Sequence, residues 1–400
     1  MLVCCFCACN IRFKTNYQNY YFLLRRNGLK GDIFETCTMA SLRLINRLII
    51  RGFISLSLLL VFFNEFIVYY INQSTWQQIY CKYDNCTRIL FVADPQLIGN
   101  SYEKGFWSPI SRYDADRYLR KTFERTLDFT QPHIICFLGD LLDEGSIANQ
   151  QDFDSYVKRF NRIYNAITNI KFKLISPYAQ RIHVPGDNDI GGEDGEYISN
   201  SNVRRFEESF QNEDLFDYEN MLRFFKINRM MLDFSNPDRE HNAQRLRVGI
   251  SHAPILIGGG PLLRSVLSEL DPHVIFSGHW HESRIFIHPS THVVNFYEST
   301  VRHFDLRSLK EKEHQYLEIM VPTASYRMGK MKMGLGYAVL ENYQLSYTVL
   351  WLPNRFIYLF LYLFWLLLSV CGFIVFRMMT RCPFRVTKHQ SLYNRTLNMS

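Results

Sequence analysis

The chain has 400 residues, 47% of them hydrophobic and 21% charged, which excludes a disordered chain and a small disulfide-stapled module. It carries 45 Lys and Arg against 38 Asp and Glu, a formal net charge of +7. The basic residues cluster just outside two apolar stretches and do not form one patch, which is typical of the flanks of membrane spans. We therefore do not expect nucleic acid as a partner.

Two apolar segments, 52–71 and 356–376, are each long enough to cross a hydrocarbon core of roughly 30 Å. The first carries Glu65, and a carboxylate at mid-bilayer costs roughly 2.5–3.5 kcal/mol, so we expect this group to be protonated or near the headgroups. A secretory signal peptide is the alternative, but the apolar run is too long and lacks a small-residue cleavage site. We predict a transmembrane helix at each end of the chain, the first of them an uncleaved signal anchor.

The distribution of Lys and Arg predicts the orientation of both helices, because cytosolic flanks carry the excess of basic residues. The outer flanks are the more basic, with Arg25, Arg26, Lys30, Arg43, Arg47 and Arg51 on one side and Arg377, Arg381, Arg385 and Lys388 on the other. We therefore expect a cytosolic N-terminal segment (1–51), a lumenal domain (72–355) and a cytosolic tail (377–400).

Glycosylation sequons allow the same orientation to be checked. Those at Asn72 and Asn85 fall in the lumenal domain, where glycans are added. Those at Asn394 and Asn398 fall in the tail and should stay bare.

The cysteines divide by compartment. Four of them lie within residues 1–9, where the Cys-x-Cys spacing suggests metal but lacks a matching second pair. Palmitoylation is one alternative, and an unused extension upstream of a second start at Met39 is another. Cys81 and Cys86 could close a small disulfide beside the membrane, and Cys136 is expected to be a core residue of a strand.

Between the two apolar segments, apolar runs typical of strands alternate with stretches of helical spacing. The predicted strands are 88–94, 133–140, 181–185, 245–251, 273–277, 293–297, 315–321, 336–340 and 346–351, and the predicted helices are 111–129 and 152–167. This order predicts an α/β layered sheet with a β-rich second half. The tripeptides Gln-Pro-His at 131–133 and Asp-Pro-His at 271–273 each introduce a strand.

A side chain able to bind metal follows each of several apolar runs. These residues are Asp94, Asp140, Asp187, His252, His279 and His281. A single Asp at a strand end is usually a turn or cap residue, but strand ends in α/β sheets converge on one crevice. The succession of such residues, most of them close to Gly or Pro, therefore favours one metal site.

This series resembles the calcineurin-like metallophosphoesterase superfamily, whose pattern is D-x-H, G-D-x-x-D, G-N-H-[DE], a later H, and G-H-x-H. The matching positions, within residues 88–300, are 94–96, 139–143, 186–189, His252 and 278–281. The membrane tethers and the Ala-Asp-Pro-Gln-Leu motif resemble the Cdc1-like branch. That branch includes the phosphodiesterase that remodels glycosylphosphatidylinositol (GPI) anchors.

The resemblance implies a layered β-sandwich flanked by helices, and a centre of two divalent metal ions. Asp94 and His281 would hold one ion, Asp187, His252 and His279 would hold the other, and Asp140 would bridge them. A metal pair binds phosphoester oxygens and lowers the pKa of water between the ions. Asp143 would support Asp140 or cap a helix.

Three positions depart from the superfamily pattern. Gln96 replaces the usual His and offers an amide oxygen, and Asp187 replaces the usual Asn. Both changes favour harder ions, so we expect Mn²⁺ or Mg²⁺ over Zn²⁺, with Mn²⁺ preferred. Asn188 replaces the His that contacts substrate, so it can bond a phosphate oxygen but cannot deliver a proton. A proton could come instead from His303 or from metal-bound water, but we expect His303 to be an ordinary surface His.

The expected function is that of a metal-dependent phosphodiesterase of the secretory pathway, embedded in membranes between the endoplasmic reticulum exit sites and the Golgi. Its expected substrate is a membrane-linked glycolipid, the GPI anchor of a protein, from which it would remove ethanolamine-phosphate on a mannose. One alternative is a lumenal phosphatase acting on another substrate. The second is a catalytically weak membrane protein that binds metal or cargo.

Overall fold

The computed structural model describes residues 30–83, 85–165, 179–192, 196–210, 215–219, 221–234, 245–257, 260–289 and 292–381. The described chain divides into two compact units, with the division between Glu65 and Phe66. The first contains helix α1 (Lys30–Phe62), which is followed by a π-helical turn at Phe63–Ile67. The second carries every strand of the described chain.

Strands and helices alternate through the first half of the second unit. The helices are α2 (Val68–Gln73), α3 (Ser108–Thr130), α4 (Gln150–Tyr164), α5 (Asp187–Ile190), α6 (Asn200–Phe210), α7 (Pro261–Ser265, continued by a π-helical turn at Val266–Leu270), α8 (Leu306–Glu311) and α9 (Arg355–Arg381). The strands are β1 (Thr87–Val92), β2 (Ile134–Leu138), β3 (Gln180–Val184), β4 (Leu215–Tyr218), β5 (Leu222–Asn228), β6 (Asp233–Phe234), β7 (Leu246–Ser251), β8 (Val274–Ser277), β9 (Arg284–His288), β10 (His292–Asn295), β11 (Arg302–Asp305), β12 (Tyr316–Met320), β13 (Gly334–Glu341) and β14 (Gln344–Trp351).

These strands form two sheets. The first has the order β11-β14-β13-β1-β2-β3, and the second has the order β10-β9-β12-β8-β7-β5-β4, with β6 paired to β5. The strands that precede the candidate ligands are parallel: β1 with β2 and β2 with β3 in one sheet, β7 with β8 in the other. Parallel neighbours end at the same edge of a sheet, so the residues that follow them are brought together.

The two sheets pack face to face and are covered by helices on their outer faces. Phe91 of β1 stacks on Phe276 of β8 at a ring distance of 3.9 Å, within one core shared by both sheets. A second core lies between the first sheet and α3 and α4, where Phe123 and Phe160 pack around Phe137. A third core lies under α7. The predicted α/β sandwich flanked by helices is confirmed.

Each predicted strand is present, with both ends within two residues of the predicted ones, and the two predicted helices are α3 and α4. Residues 166–167, predicted to end the second helix, lie outside the described residues. Strands β4, β5, β6, β9 and β11 and helices α5, α6, α7 and α8 were not predicted. In β5 the charged residues Arg223 and Lys226 interrupt the apolar run, and Arg223 is satisfied by Asp217 of β4 across the hairpin at 2.6 Å.

The two Pro-His tripeptides mark the same structural device at the starts of β2 and β8. Gln131 and Asp271, each with left-handed φ (43° and 45°), end the preceding helices. The ring Nδ1 of His273 accepts the backbone N–H of Arg247 at 3.0 Å, and the side-chain Nε of Arg247 donates to the Asp271 carbonyl at 2.8 Å. The same two bonds occur at the start of β2. The ring Nδ1 of His133 accepts the backbone N–H of Arg88 at 3.3 Å, and the side-chain Nε of Arg88 donates to the Gln131 carbonyl at 2.8 Å. The sequence echo therefore corresponds to a repeated helix-to-strand junction.

The carboxyl ends of β1, β2 and β3 lie at the same end of the first sheet as the carboxyl end of β14, which leads into α9. In the antiparallel register, Phe91 pairs with Gly336 and Thr87 with Leu340, while Gly334 pairs with Trp351. Strand β14 ends at Trp351, and α9 begins four residues later. We call this end of the sheet the α9 end.

Two helical stretches are long and apolar enough to cross a membrane, Asn46–Gln73 and Arg355–Met378, and they contain the predicted segments 52–71 and 356–376. The disulfide between Cys81 and Cys86 is formed, as expected. It lies at the end of the first sheet opposite α9, away from the helix beside which it was expected. The indole N–H of Trp76 bonds the Trp351 carbonyl at the α9 end, but the N–H of Lys82 bonds Glu341 at the opposite end of β13. An extended segment of six residues spans roughly 20 Å, which takes the disulfide to the far end of the sheet.

Candidate metal centre

The predicted ligands lie where five parallel strands end. Asp94, Asp140 and Asp187 follow β1, β2 and β3, His252 follows β7, and His279 and His281 follow β8. Four of these residues adopt left-handed φ, namely Asp94, Asp140, His279 and His281. Sharp turns of this kind direct the side chains back over the sheet edges and into one crevice.

Two glycines are required by the close packing of this crevice. A Cβ on Gly139, whose φ is 88°, would lie 2.5 Å from the His252 ring. A Cβ on Gly186 would lie 2.1 Å from the Asp140 carboxylate. Any larger residue at either position would therefore displace a candidate ligand.

All six predicted ligands come together. Asp187 Oδ1 lies 2.9 Å from His252 Nε2 and 3.2 Å from His279 Nδ1. His252 Nε2 lies 3.5 Å from Asp140 Oδ1. His281 Nε2 lies 3.9 Å from Asp94 Oδ1, and His252 Nδ1 lies 3.8 Å from the same oxygen.

Two groups of three residues could each hold a metal ion, with ligand atoms within 4.8 Å of one another. They are Asp187, His252 and His279, and Asp94, Asp140 and His252. His252 belongs to both groups, whereas the sequence pattern placed it in one. Its Nδ1 also lies 2.8 Å from the Leu138 carbonyl, a contact that fixes the ring.

The crevice contains buried carboxyl groups that a bound cation would stabilise. Asp94 and Asp140 are buried, and burial raises the pKa of both carboxyls, that of Asp94 to about 7. Burial by itself would lower the pKa of His252, but Asp140, Asp187 and Asp94 outweigh it and raise the pKa well above its usual value. Buried carboxylates are stable only when paired with positive charge. Carboxylate oxygens and imidazole nitrogens in this number and proximity fit divalent metal ions.

Two amide side chains hold Asp140 in place. Gln96 donates its Nε2 to Asp140 Oδ2 at 2.8 Å and lies 3.4 Å from His281 Nε2. Asn188 donates its backbone N–H to Oδ1 and its Nδ2 to Oδ2 of the same carboxylate, both at 3.0 Å. Gln96 was expected to present an amide oxygen to metal, but here its nitrogen faces the site because the neighbouring carboxylate is an acceptor. Asn188 was expected to contact a phosphate oxygen of the substrate, but here its side-chain amide donates to Asp140.

Asp143 and His303 are not ligands in this arrangement. Asp143 lies in a non-helical turn, so it does not cap a helix, and burial followed by Glu144 and Asp140 raises its pKa to about 7. His303 lies on β11, three strands from β1, with its Nδ1 2.9 Å from the Ser346 hydroxyl. Its position is that of an ordinary surface His.

Three residues that support the site were not identified as site residues from the sequence. The Asp189 carboxylate accepts the N–H groups of Gly186, Leu141 and Leu142 at 2.9, 3.1 and 3.0 Å. Glu318, a lone acid in the buried strand β12, accepts the N–H groups of Ile255 and Leu256, which follow His252. Thr323 donates to the Asp94 carbonyl at 2.8 Å. A charged residue inside an apolar strand run was the available signal for Glu318.

A pair of divalent metal ions would supply Lewis-acid charge at a phosphoester held in this crevice. The chain's own residues provide the rest. The six candidate ligands would fix the position of that charge, and Gln96 and Asn188 orient the Asp140 carboxylate. The arrangement is suited to hydrolysis of phosphoric esters.

Residues 87–283 match the calcineurin-like phosphoesterase family. Metallophosphoesterase 1 of Ailuropoda melanoleuca is 26% identical over 180 residues, 43% of this chain and 42% of the relative. Metallophosphoesterase 1 of Xenopus laevis is 30% identical over 156 residues, 37% and 35% of the two chains. The chain thus spans less than half the length of the curated relatives it matches.

Among solved structures, the fold is similar to a metallophosphoesterase from Sphaerobacter thermophilus, with 14% identity, 66% of this chain and 88% of that chain covered, and a TM-score of 0.33. It is also similar to purple acid phosphatase PPD1 of yellow lupin, with 12% identity, 68% and 52% covered, and a TM-score of 0.40. The family match spans all six ligands. Residues 87–283, the part of this chain that carries the candidate metal centre, are therefore similar to calcineurin-like phosphoesterase domains.

Proposed function

We propose that this protein is a metal-dependent phosphodiesterase whose substrate is anchored in the membrane that holds α9. The proposed substrate is the GPI anchor of a protein, and the proposed reaction removes ethanolamine-phosphate from an anchor mannose. The cofactor would be two Mn²⁺ ions. The proposed location is the lumenal face of endoplasmic reticulum exit sites, the intermediate compartment or the Golgi.

One observation carries the proposal: the candidate metal centre lies at the α9 end. The Asp94 carbonyl accepts the Thr323 hydroxyl, and the Thr323 carbonyl accepts the Gly334 N–H at 3.0 Å. Met333, the residue before Gly334, accepts the Leu352 N–H at its carbonyl at 2.8 Å, and Leu352 lies three residues before the start of α9. A soluble substrate would not require a metal centre so close to a membrane helix, whereas a lipid-linked phosphodiester would.

The test uses the full chain in nanodiscs with GPI-anchored protein as substrate and Mn²⁺, Mg²⁺ and Zn²⁺ in parallel. Mass spectrometry should detect loss of ethanolamine-phosphate, with the highest rate in Mn²⁺. An Asp140→Asn variant is the matched inactive control. Hydrolysis of bis(p-nitrophenyl) phosphate without any change in the GPI anchor would favour a phosphatase with another substrate. Metal binding without hydrolysis of either compound would favour a catalytically weak binding protein.

The proposed topology has its own test. Glycosidase treatment should remove glycan from Asn72 or Asn85 and none from Asn394 or Asn398. Asn85 contacts Asn342, beyond the end of β13 opposite α9, a position open to the glycosylation machinery. Glycan on the tail would place the metal centre in the cytosol and contradict the proposal.

A further inference from the structure

The start of α3 exposes a group of large apolar side chains. Phe106 is 84% exposed and Trp107 is 69% exposed, and Ile110 and Tyr113 in the first two turns are exposed as well. Phe106 and Trp107 contact each other edge to face, with ring centroids 5.2 Å apart. Contiguous apolar groups of this kind on a protein surface mark a place of contact with another apolar phase.

This group begins a stripe along one face of α3. The stripe consists of Trp107, Ile110, Asp114, Arg117, Lys121 and Arg125, spaced three or four residues apart. Its first part is apolar, and its remainder is mainly basic. The two parts lie on the same side of the helix.

The basic part of the stripe contacts the end of the first apolar stretch. Lys121 Nζ lies 4.2 Å from the centre of the Phe66 ring, and the Arg125 guanidinium lies 3.8 Å from the centre of the Tyr70 ring. Both aromatic residues belong to the candidate span Asn46–Gln73. Long basic side chains that run along apolar helices place their charge at the headgroup level of a bilayer.

Asp114, in the middle of the stripe, fixes α3 to the beginning of the second apolar helix. Its carboxylate pairs with Arg355, the first residue of α9, and accepts the Tyr326 hydroxyl at 2.9 Å. The Tyr326 ring packs edge to face on Phe356 at 5.2 Å. One face of α3 thus touches residues of both candidate spans.

The exposed group is also tied to the metal centre. The loop that begins with Asp94 leads directly to Phe106, and the buried Glu144 accepts the N–H groups of Ser101 and Tyr102 within it at 2.6 and 2.7 Å. Movement of the loop relative to the sheet is thereby restricted. These two bonds join the loop that leads to Phe106 to the turn that follows Asp140.

We propose that the start of α3 is an interfacial anchor that inserts into the lumenal leaflet and sets the crevice at the height of lipid phosphates. Phe106, Trp107 and Ile110 would enter the headgroup region, and the basic part of the stripe would bind lipid phosphate. The proposal rests on the membrane placement proposed above. Aromatic side chains concentrate at membrane interfaces, and Lys and Arg beside them are attracted to anionic lipids.

The charges around Lys121 agree with a phosphate ligand. Burial, followed by the nearby Arg117 and Arg355, lowers the pKa of Lys121 to about 8. Glu124 opposes this shift but also pairs with Arg120 at 3.0 Å. A lipid phosphate would add negative charge where positive charge is in excess.

The anchor is tested with the full chain in nanodiscs of phosphatidylcholine and phosphatidylserine, about 4:1, made with ordinary or dibrominated acyl chains. Bromine quenches tryptophan in contact with lipid. The difference in emission between the wild type and the Trp107→Phe variant is the signal of Trp107. The difference between the wild type and the Trp365→Phe variant is the signal of Trp365, a residue within α9. We expect bromine to quench both.

The two signals separate the anchor from the membrane placement. Quenching of Trp365 with no quenching of Trp107 overturns the anchor and leaves the placement intact. A Trp365 signal that bromine does not change overturns the placement, and the anchor with it.

A kinetic comparison gives an independent measurement. The double variant Phe106→Ser/Trp107→Ser should lose about three- to tenfold in rate on a GPI anchor in the disc and keep its rate on bis(p-nitrophenyl) phosphate. Tyr80→Ser is the matched control, because Tyr80 is 79% exposed and lies toward the end of the sheet opposite α9. Equal loss on both substrates, or no loss on either, would overturn the anchor.

Discussion

Substitution of Asp189 by Asn should show how strongly the loop that carries Asp140 depends on one buried carboxylate. Asp189 is fully buried and accepts three backbone N–H groups, two of them from Leu141 and Leu142 directly after Asp140. The third comes from Gly186, directly before Asp187. One side chain therefore fixes the backbone beside two metal ligands.

The expected magnitude follows from these three bonds. Oδ2 accepts from Gly186 and Leu141, and Oδ1 accepts from Leu142. An Asn oxygen can keep the first two bonds, but its NH₂ group would then face the third N–H. An unsatisfied buried donor costs about 1–3 kcal/mol, and each bond to a neutral acceptor is weaker by up to about 1 kcal/mol. The sum is a loss of about 3 kcal/mol in the free energy of unfolding, or about 6 °C in Tm for a domain of this size.

The assay is thermal unfolding of the purified full chain without metal, followed by calorimetric titration with Mn²⁺. Movement of the Asp140 loop should weaken metal binding about 10- to 100-fold. Asp143→Asn is the control, because it makes the same change at a carboxyl close to Asp140, whereas the N–H groups of Gly186, Leu141 and Leu142 bond to Asp189. Equal Tm and equal metal affinity in the two variants would refute the role assigned to Asp189.

Three further outcomes are expected. Asp140→Asn should lower the metal content of the purified protein and abolish hydrolysis while leaving the fold largely intact, and wild-type turnover in this variant would exclude a bridging role. Asp187→Asn should weaken Mn²⁺ about tenfold or more in calorimetric titration, more than it weakens Zn²⁺, and unchanged affinities would remove Asp187 from the ligand set. Burial, followed by Lys310 and Arg247, lowers the pKa of His273 from 6.5 to about 3 in the folded state. The stability that this group contributes is therefore complete above about pH 6.5 and falls by about 2 kcal/mol by pH 5. The variant His273→Asn keeps an acceptor for Arg247. In urea titrations, its free energy of unfolding should depend less on pH than that of the wild type.

The sequence was sufficient to predict the buried strands and to select six candidate ligands that lie together, because each parallel strand is a short apolar run that ends on a polar side chain. Parallel strands that are buried on both faces contain little else, so β1, β2 and β8 stand out. Their order in the sheets then brings Asp94, Asp140 and His279 together without further information.

The missed parts depend on partners that are distant in the sequence. Strand β5 is stabilised by the pairing of Arg223 with Asp217 and by burial against β7, and neither contact leaves a periodic pattern. The orientation of Gln96 depends on Asp140, 44 residues away. The position of the disulfide depends on the direction taken by residues 76–82, which cysteine spacing does not encode.

The repeated junction at the starts of β2 and β8 has a consequence for how this protein can change. The arginine, proline and histidine side chains that fix each strand act at one end of it, and the ligands act at the other. A strand of five residues separates the two by roughly 17 Å. Free-energy changes at sites more than about 10 Å apart usually add. Substitutions that alter the chemistry of the crevice should therefore combine independently with substitutions that strengthen the junctions, so that stability lost at one end can be regained at the other.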